Sequence, residues 1–252
     1  MAQDKSYLDN EWIDYKKVTA FLALSTLTKA TSESEIYTYD NNSIIILKSK
    51  ANLGDALSWQ EASHLVSSYT IPINNLIINK KYCIGYVTDQ IDGLNGYQWF
   101  EKLTDLEARK GIANNLVSMY INMKYKNVAY TNWSLENLII TRRRQLKLIN
   151  PQFFVDIQDY PEFKSEFIDY NFCILIFSIL YGLDFTIVHA EEIPDLHIPE
   201  AIKEILSKKK NEKITIEEIR KIIRLTQKEF VYQPQIQELI RKFPIPKESS
   251  NN

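Results

Sequence analysis

Val128-Ala-Tyr-Thr-Asn-Trp-Ser-Leu-Glu-Asn-Leu-Ile-Ile-Thr-Arg-Arg-Arg-Gln-Leu-Lys-Leu-Ile-Asn150 is the stretch around which the chain is organised. Two short apolar runs, Leu138–Ile140 and Leu146–Ile149, flank a polar turn at Thr141–Gln145, and this pattern predicts a tight β-hairpin. A polar loop leads into the hairpin and Pro151 follows it. The loop carries Asn132 and Asn137, five residues apart, and the hairpin ends on Asn150, eighteen residues after Asn132.

This layout resembles the catalytic core of the protein kinases, in which a loop of the form H-R-D-x-x-x-x-N feeds a hairpin that ends in D-F-G. Tyr130-Thr131-Asn132 stands where H-R-D would be, Asn137 matches the loop asparagine, and Asn150-Pro151-Gln152 occupies the D-F-G place. Both acids are therefore amides. The resemblance implies an α+β, bilobal protein kinase-like fold. Residues 1–90 would form a β-rich N-lobe with an N-terminal helix, an antiparallel sheet and one further helix. Residues 91–243 would form a helical C-lobe carrying the catalytic-loop-like hairpin 128–150, and residues 244–252 a disordered tail.

A chain of 252 residues buries a sizeable core, and 45% apolar with 25% charged residues is ordinary for a soluble globular protein. A net charge of −2 supplies no general positive field, which argues against a nucleic-acid binder driven by phosphate contacts. The two cysteines, Cys83 and Cys173, lie in apolar runs far apart and read as buried free thiols in a reducing compartment. With His64, His189 and His197 they show no metal-ligand spacing, so no metal is expected. No secretory signal is visible, and the longest apolar run, Phe172–Tyr181, is too short to span a bilayer. These features point to a cytoplasmic protein without a membrane span.

Along the chain, Trp12 to Leu24 is mildly amphipathic and reads as a helix. Ile36–Tyr39 and Ser43–Leu47 read as strands around a turn at Asp40-Asn41-Asn42. In the kinase resemblance the second strand is the one that ends in V-A-I-K, and Lys48 is its lysine; the plain reading is a surface lysine closing a strand. A helix from Leu53 to Ser67 follows. Glu61 either partners the strand lysine, as the resemblance implies, or closes a capping box with Ser58. Asp55 as cap leaves Glu61 mid-helix; Ser58 as cap puts it at the start. Strands at Leu76–Ile78 and Tyr82–Val87 lead to Thr88–Gly93, which resembles the hinge between kinase lobes, with Gly93 releasing the chain.

Thr104-Asp105-Leu106-Glu107 is a capping box that opens a long helix with Ile112, Leu116, Met119, Tyr120 and Met123 on one face. Tyr160-Pro161-Glu162 resembles the A-P-E ending of an activation segment, set unusually close to the hairpin. Asp169 opens an apolar run resembling the buried central helix of the large lobe, where the first acid anchors the catalytic loop; a capping role is the plain reading. Helices at Pro199–Lys208, Thr215–Leu225 and Pro234–Lys242 complete the pattern.

Phosphoryl transfer needs a carboxylate near the acceptor hydroxyl, anionic oxygens for Mg²⁺, and backbone amides around the phosphates. Asn132 cannot accept the proton as an aspartate does; such a change in another enzyme lowers the rate by about 10⁴. Asn150 offers Mg²⁺ only a neutral oxygen. No glycine precedes Lys48, so the Gly-rich loop is absent and Ser25–Ser34 stands in its place. The chain therefore resembles a pseudokinase. Expected are no catalytic residues, with Asn132 and Asn150 as degenerate positions. Lys48, Glu61 and Asn137 would line a vestigial nucleotide cleft, and ATP binding would be weak or absent. A protein partner is implied, with the chain serving as scaffold or allosteric regulator. The alternative is an atypical nucleotide-dependent kinase or nucleotidyltransferase using Lys48, Glu61, Asn137 and Asn150 in an altered pose. A third reading is an α+β adaptor in which both asparagines are turn residues.

Overall fold

The structure, a computed structural model, describes residues 12–31, 33–100, 103, 105–143, 145–158, 165–182, 198–208 and 212–227. The expected Tyr160-Pro161-Glu162 motif, the helix Pro234–Lys242, the tail 244–252, Thr104, His189 and His197 lie outside the described residues.

In chain order the elements are β1 (Trp12–Asp14), α1 (Tyr15–Leu22), β2 (Thr26–Ala30), β3 (Ser34–Tyr39), β4 (Asn42–Asn52), α2 (Leu53–Leu65), β5 (Ile73–Asn79), β6 (Tyr82–Asp89) and β7 (Gly93–Asn95). Then come α3 (Gly96–Phe100), α4 (Leu106–Tyr125), β8 (Val128–Tyr130), β9 (Leu138–Thr141), β10 (Leu146–Leu148), β11 (Phe154–Asp156), α5 (Ser165–Tyr181), α6 (Glu200–Leu206) and α7 (Ile216–Leu225). The chain divides into two compact units. The first gathers residues 1–95, 120–132 and 137–162; the second gathers 96–119, 133–136 and 163–252.

The first unit is built on a six-stranded sheet of order β1-β5-β6-β4-β3-β2. All its neighbours are antiparallel except β1, which runs parallel to β5 with Trp12 opposite Leu76. Two-residue turns close its hairpins: Asp40-Asn41 between Tyr39 and Asn42, and Lys80-Lys81 between Asn79 and Tyr82. Asp40 (φ 50°) and Lys80 (φ 58°) adopt the left-handed conformation that such tight turns require. The strand period of two sorts the apolar side chains onto two faces. Ile44, Ile77, Ile84 and Val87 pack with Val18 of α1, and Phe21 and Leu22 lie against them. Ile45, Ile73, Leu76, Cys83 and Tyr86 pack with Ala56 of α2 on the other face.

Several expectations need correction. The segment from Trp12 is first a strand and becomes helical only after Asp14, whose carboxylate accepts from the Lys16 amide as the helix cap. Asn52, not Asp55 or Ser58, caps α2: its side-chain carbonyl accepts from the Asp55 amide at 2.8 Å. Glu61 therefore sits mid-helix and closes no capping box. Gly93 does not release the chain but begins β7, paired with Thr141 of β9; a Cβ there would meet the Ile140 carbonyl oxygen at 2.5 Å. What Gly93 supplies is close approach between strands.

In the second unit, α5 is apolar on every side, as a helix enclosed by protein must be. Phe172, Leu175, Ile176, Phe177, Ile179 and Leu180 are buried, and the rings of Phe172 and Trp133 lie 4.7 Å apart. The helix begins at Ser165, so Asp169 is not its cap but a buried residue of its second turn. It ends at Gly182, whose φ of 78° suits glycine and whose amide donates to the Ser178 carbonyl. The first turn of α4 is capped by Asp105, whose carboxylate accepts from the Ala108 amide. The capping box of Thr215 and Glu218 forms as expected at the start of α7. Among the described residues no helix is long and apolar enough to cross a membrane.

Candidate functional site

The first unit carries every candidate site residue. β8 and β11 pair antiparallel with Tyr130 opposite Phe154, and β9 and β10 form the expected hairpin. Tyr130, fully buried, is fixed at both ends: its ring packs at 4.8 Å from Phe154 and its hydroxyl donates to the Ile149 carbonyl at 2.7 Å. The Ile149 amide in turn donates to the backbone carbonyl of Asn137. These bonds bring Asn132, Asn137 and Asn150 together.

Asn137 is 1% exposed. Its Nδ2 donates to the Asn132 backbone carbonyl at 3.0 Å, and its Oδ1 accepts from Asn150 Nδ2 at 2.7 Å. The backbone carbonyl can only accept, so it fixes the orientation of the Asn137 amide, and that orientation turns an oxygen toward Asn150. Asn150 has φ 60° and ψ 69°, a left-handed conformation that asparagine tolerates better than most side chains. Pro151 follows at the first position of a short 3₁₀ turn, closed by the Phe153 amide on the Asn150 carbonyl. The three asparagines thus form one hydrogen-bonded chain with no ionised member.

Lys48 and Glu61 are not brought together. In β4, Ile44 and Ile46 pack on the α1 side while Ile45, Leu47 and Ala51 pack on the α2 side. Lys48 lies in β4 between Ile46 and Ala51, where the register with β6 shifts, whereas Glu61 belongs to α2. Both are exposed, and among the described residues no ion pair joins them. The β4 residues that pack with α2 are Ile45, Leu47 and Ala51.

The strand-turn-strand that stands where a Gly-rich loop would be is closed on itself. Thr31 Oγ1 accepts from the amides of Glu33 at 3.2 Å and Ser34 at 3.0 Å, and the Thr31 amide donates to the Ser34 carbonyl.

No family model matches the chain, and no curated protein matches it by sequence. Comparison with solved structures finds the kinase PK-1 of Cydia pomonella granulovirus, with a TM-score of 0.53 and 14% identity over 86% of this chain and 96% of that one. The fold is kinase-like. At that identity the likeness concerns the fold alone.

The sequence resemblance would place Mg²⁺ and ATP beside Asn137 and Asn150, and Asn150 does not fit the anionic ligand it calls for. Asn150 offers only a neutral oxygen, and the Asn137 oxygen already accepts a hydrogen bond from Asn150 Nδ2. The turn amides at residues 33 and 34 already donate to Thr31.

Other residues of the kinase-like core were not singled out from sequence. Lys147 Nζ donates to the carbonyls of Ser67, Ser68 and Thr70 at 2.9, 3.0 and 3.3 Å, just past the C-terminus of α2. Burial pulls its pKa below the ordinary lysine value. Lys126 Nζ donates to the Leu65 carbonyl, and the buried Thr70 hydroxyl donates to the Leu148 carbonyl at 2.7 Å. Cations and donors gathered at a helix C-terminus satisfy its last carbonyls and complement its dipole. The available signal was Lys147 itself, a charge between Leu146 and Leu148 in an otherwise apolar strand. Tyr86 likewise donates to Gln152 Oε1 at 2.7 Å, with burial raising its pKa.

Proposed function

We propose that this protein is a catalytically inactive kinase-like domain that acts by binding another protein, as a scaffold or as a regulator of a partner enzyme. The observation that carries this reading is the chain Asn150–Asn137–Asn132. Asn150 puts a neutral amide, bonded to Asn137, where the resemblance calls for a metal-binding carboxylate. Asn132, which joins through its backbone carbonyl, puts another where it calls for a proton acceptor. Among the described residues no ion pair joins Lys48 to Glu61, which points the same way.

The test is direct. Purified protein is heated with and without Mg²⁺-ATP, and transfer of labelled phosphate from ATP to itself and to generic acceptor proteins is followed in parallel. The reading expects no change in melting temperature and no transfer. A rise of several degrees, or transfer above the no-enzyme control, overturns it.

A further inference from the structure

We infer that the tip of the β5–β6 hairpin, with the adjoining end of β4, is a docking surface for an acidic protein segment. This rests on the reading of the domain as a protein-binding module and supplies the chemistry of the partner. Tyr82, 39% exposed, follows the turn residues Lys80 and Lys81 and lies opposite Asn52 in the ladder. Lys81 Nζ lies 5.4 Å and Lys50 Nζ 5.9 Å from the centre of its ring. Lys48, two residues before Lys50 in β4, adds a further exposed lysine. All four lysines are exposed.

Three other lysines find carboxylates: Lys110 with Glu107, Lys203 with Glu200, Lys208 with Glu218. Among the described residues none of these four does. Asp55 accepts from the side chain of Asn52, and Glu33, whose carbonyl accepts from the Lys48 amide, forms no ion pair with it. Lys80 moreover holds a left-handed turn position that glycine or asparagine occupies with less strain. Two ammonium groups over one aromatic ring, with Lys80 and Lys48 close by in sequence, form a cationic patch in a chain whose net charge is −2.

Two anionic partners would suit such a patch, and the geometry separates them. Single-stranded nucleic acid is held by bases stacked on open aromatic faces along a positive groove. Here ammonium groups already lie over the Tyr82 ring, and the chain carries no wider positive field. Glutamate or aspartate side chains need no stacking face. They pair with the ammonium groups and accept from the tyrosine hydroxyl.

The experiment uses the full chain and a fluorescent peptide of about eight glutamates, read by anisotropy at about 50 mM and about 300 mM salt. A labelled oligo-thymidine and vesicles containing phosphatidylserine are run beside it. The expected result is peptide binding that weakens with salt and weakens about tenfold or more in the double variant K50E/K81E, whose melting temperature stays that of the parent. Absence of peptide binding, equal binding by the variant, or tighter binding of the oligonucleotide or the vesicles overturns the assignment. Melting with Mg²⁺-ATP is recorded on the same samples. A nucleotide shift alongside peptide binding removes the inactive-kinase reading and keeps the patch; no shift and no peptide binding does the reverse.

Discussion

Asn150 Nδ2 lies 2.7 Å from Asn137 Oδ1, so a hydrogen bond joins directly the two side chains that the sequence resemblance casts as metal-ligand positions. The amide nitrogen supplies the partial positive charge that the Asn137 oxygen needs, and the polar contact closes without a cation. With an amide at position 150, the retained Asn137 and its neighbour satisfy each other. The same pair joins the catalytic-loop-like segment to the end of the hairpin.

Asn150→Asp tests this pair. Aspartate tolerates the left-handed backbone at that position, so the change acts mainly on the hydrogen bond. It sets a carboxylate oxygen against the Asn137 oxygen, and we expect a loss of about 1–3 kcal/mol in denaturant unfolding without metal. Added Mn²⁺ then raises the melting temperature of the variant and leaves the parent unchanged. Equal stability of variant and parent, with no response to Mn²⁺, would show that the bond does not hold the loop.

Lys147→Met removes the ammonium that serves three backbone carbonyls past the end of α2 while keeping the aliphatic stem. The carbonyls lose their charged donor, and a destabilisation of about 1–2 kcal/mol is expected. Hydrogen exchange at residues 64–73 should rise by more than exchange in β4 and β6. Uniform acceleration across the sheet would assign Lys147 a general rather than a local role.

Much of the first unit was legible because local chemistry and tertiary fold agree there. The turns at Asp40-Asn41 and Lys80-Lys81 sit between β-branched runs, and the hairpin at residues 138–148 follows its own apolar pattern. What escaped depended on register. The strand β1 is three residues long and exists through its pairing with β5, which no local pattern announces. Asn52 read as the end of a strand rather than a cap because β4 runs straight into α2. Alternation from Ile44 and Ile45 does not fix the face of Lys48, because the register of β4 with β6 shifts between Ile46 and Ala51. The three asparagines were found by spacing, whereas the bond between two of them is a fact of three dimensions.

Cys173 provides a pH test. Burial inside α5 pushes its thiol up to about 12, against ~8.5 for a free thiol. The folded protein therefore holds the proton where the unfolded chain has lost it. The resulting stabilisation is complete below the unfolded value and disappears as pH rises from about 9 toward 12. Unfolding measured across that window should show a downward slope that is shallower in Cys173→Ala. A thiol reagent should label neither Cys83 nor Cys173 in native buffer and both in denaturant, since both are buried. Rapid native labelling would contradict the packing of these helices and strands.

Gly93 separates two accounts of the segment after β6. As a hinge, it would serve by conformational freedom, and alanine there would alter motion with little effect on stability. The structure instead places it in β7 opposite Thr141, at a φ outside the left-handed region, where an added methyl group meets both the Ile140 carbonyl oxygen and the Ile139 side chain at 2.5 Å. Backbone oxygen cannot rotate away as a flexible side chain can, so Gly93→Ala must part β7 from β9. We expect a loss of about 1–3 kcal/mol in denaturant unfolding, the range for forcing atoms into filled space. Faster amide exchange at residues 139–141 should accompany it. Parent-like stability in Gly93→Ala would return the position to the hinge account.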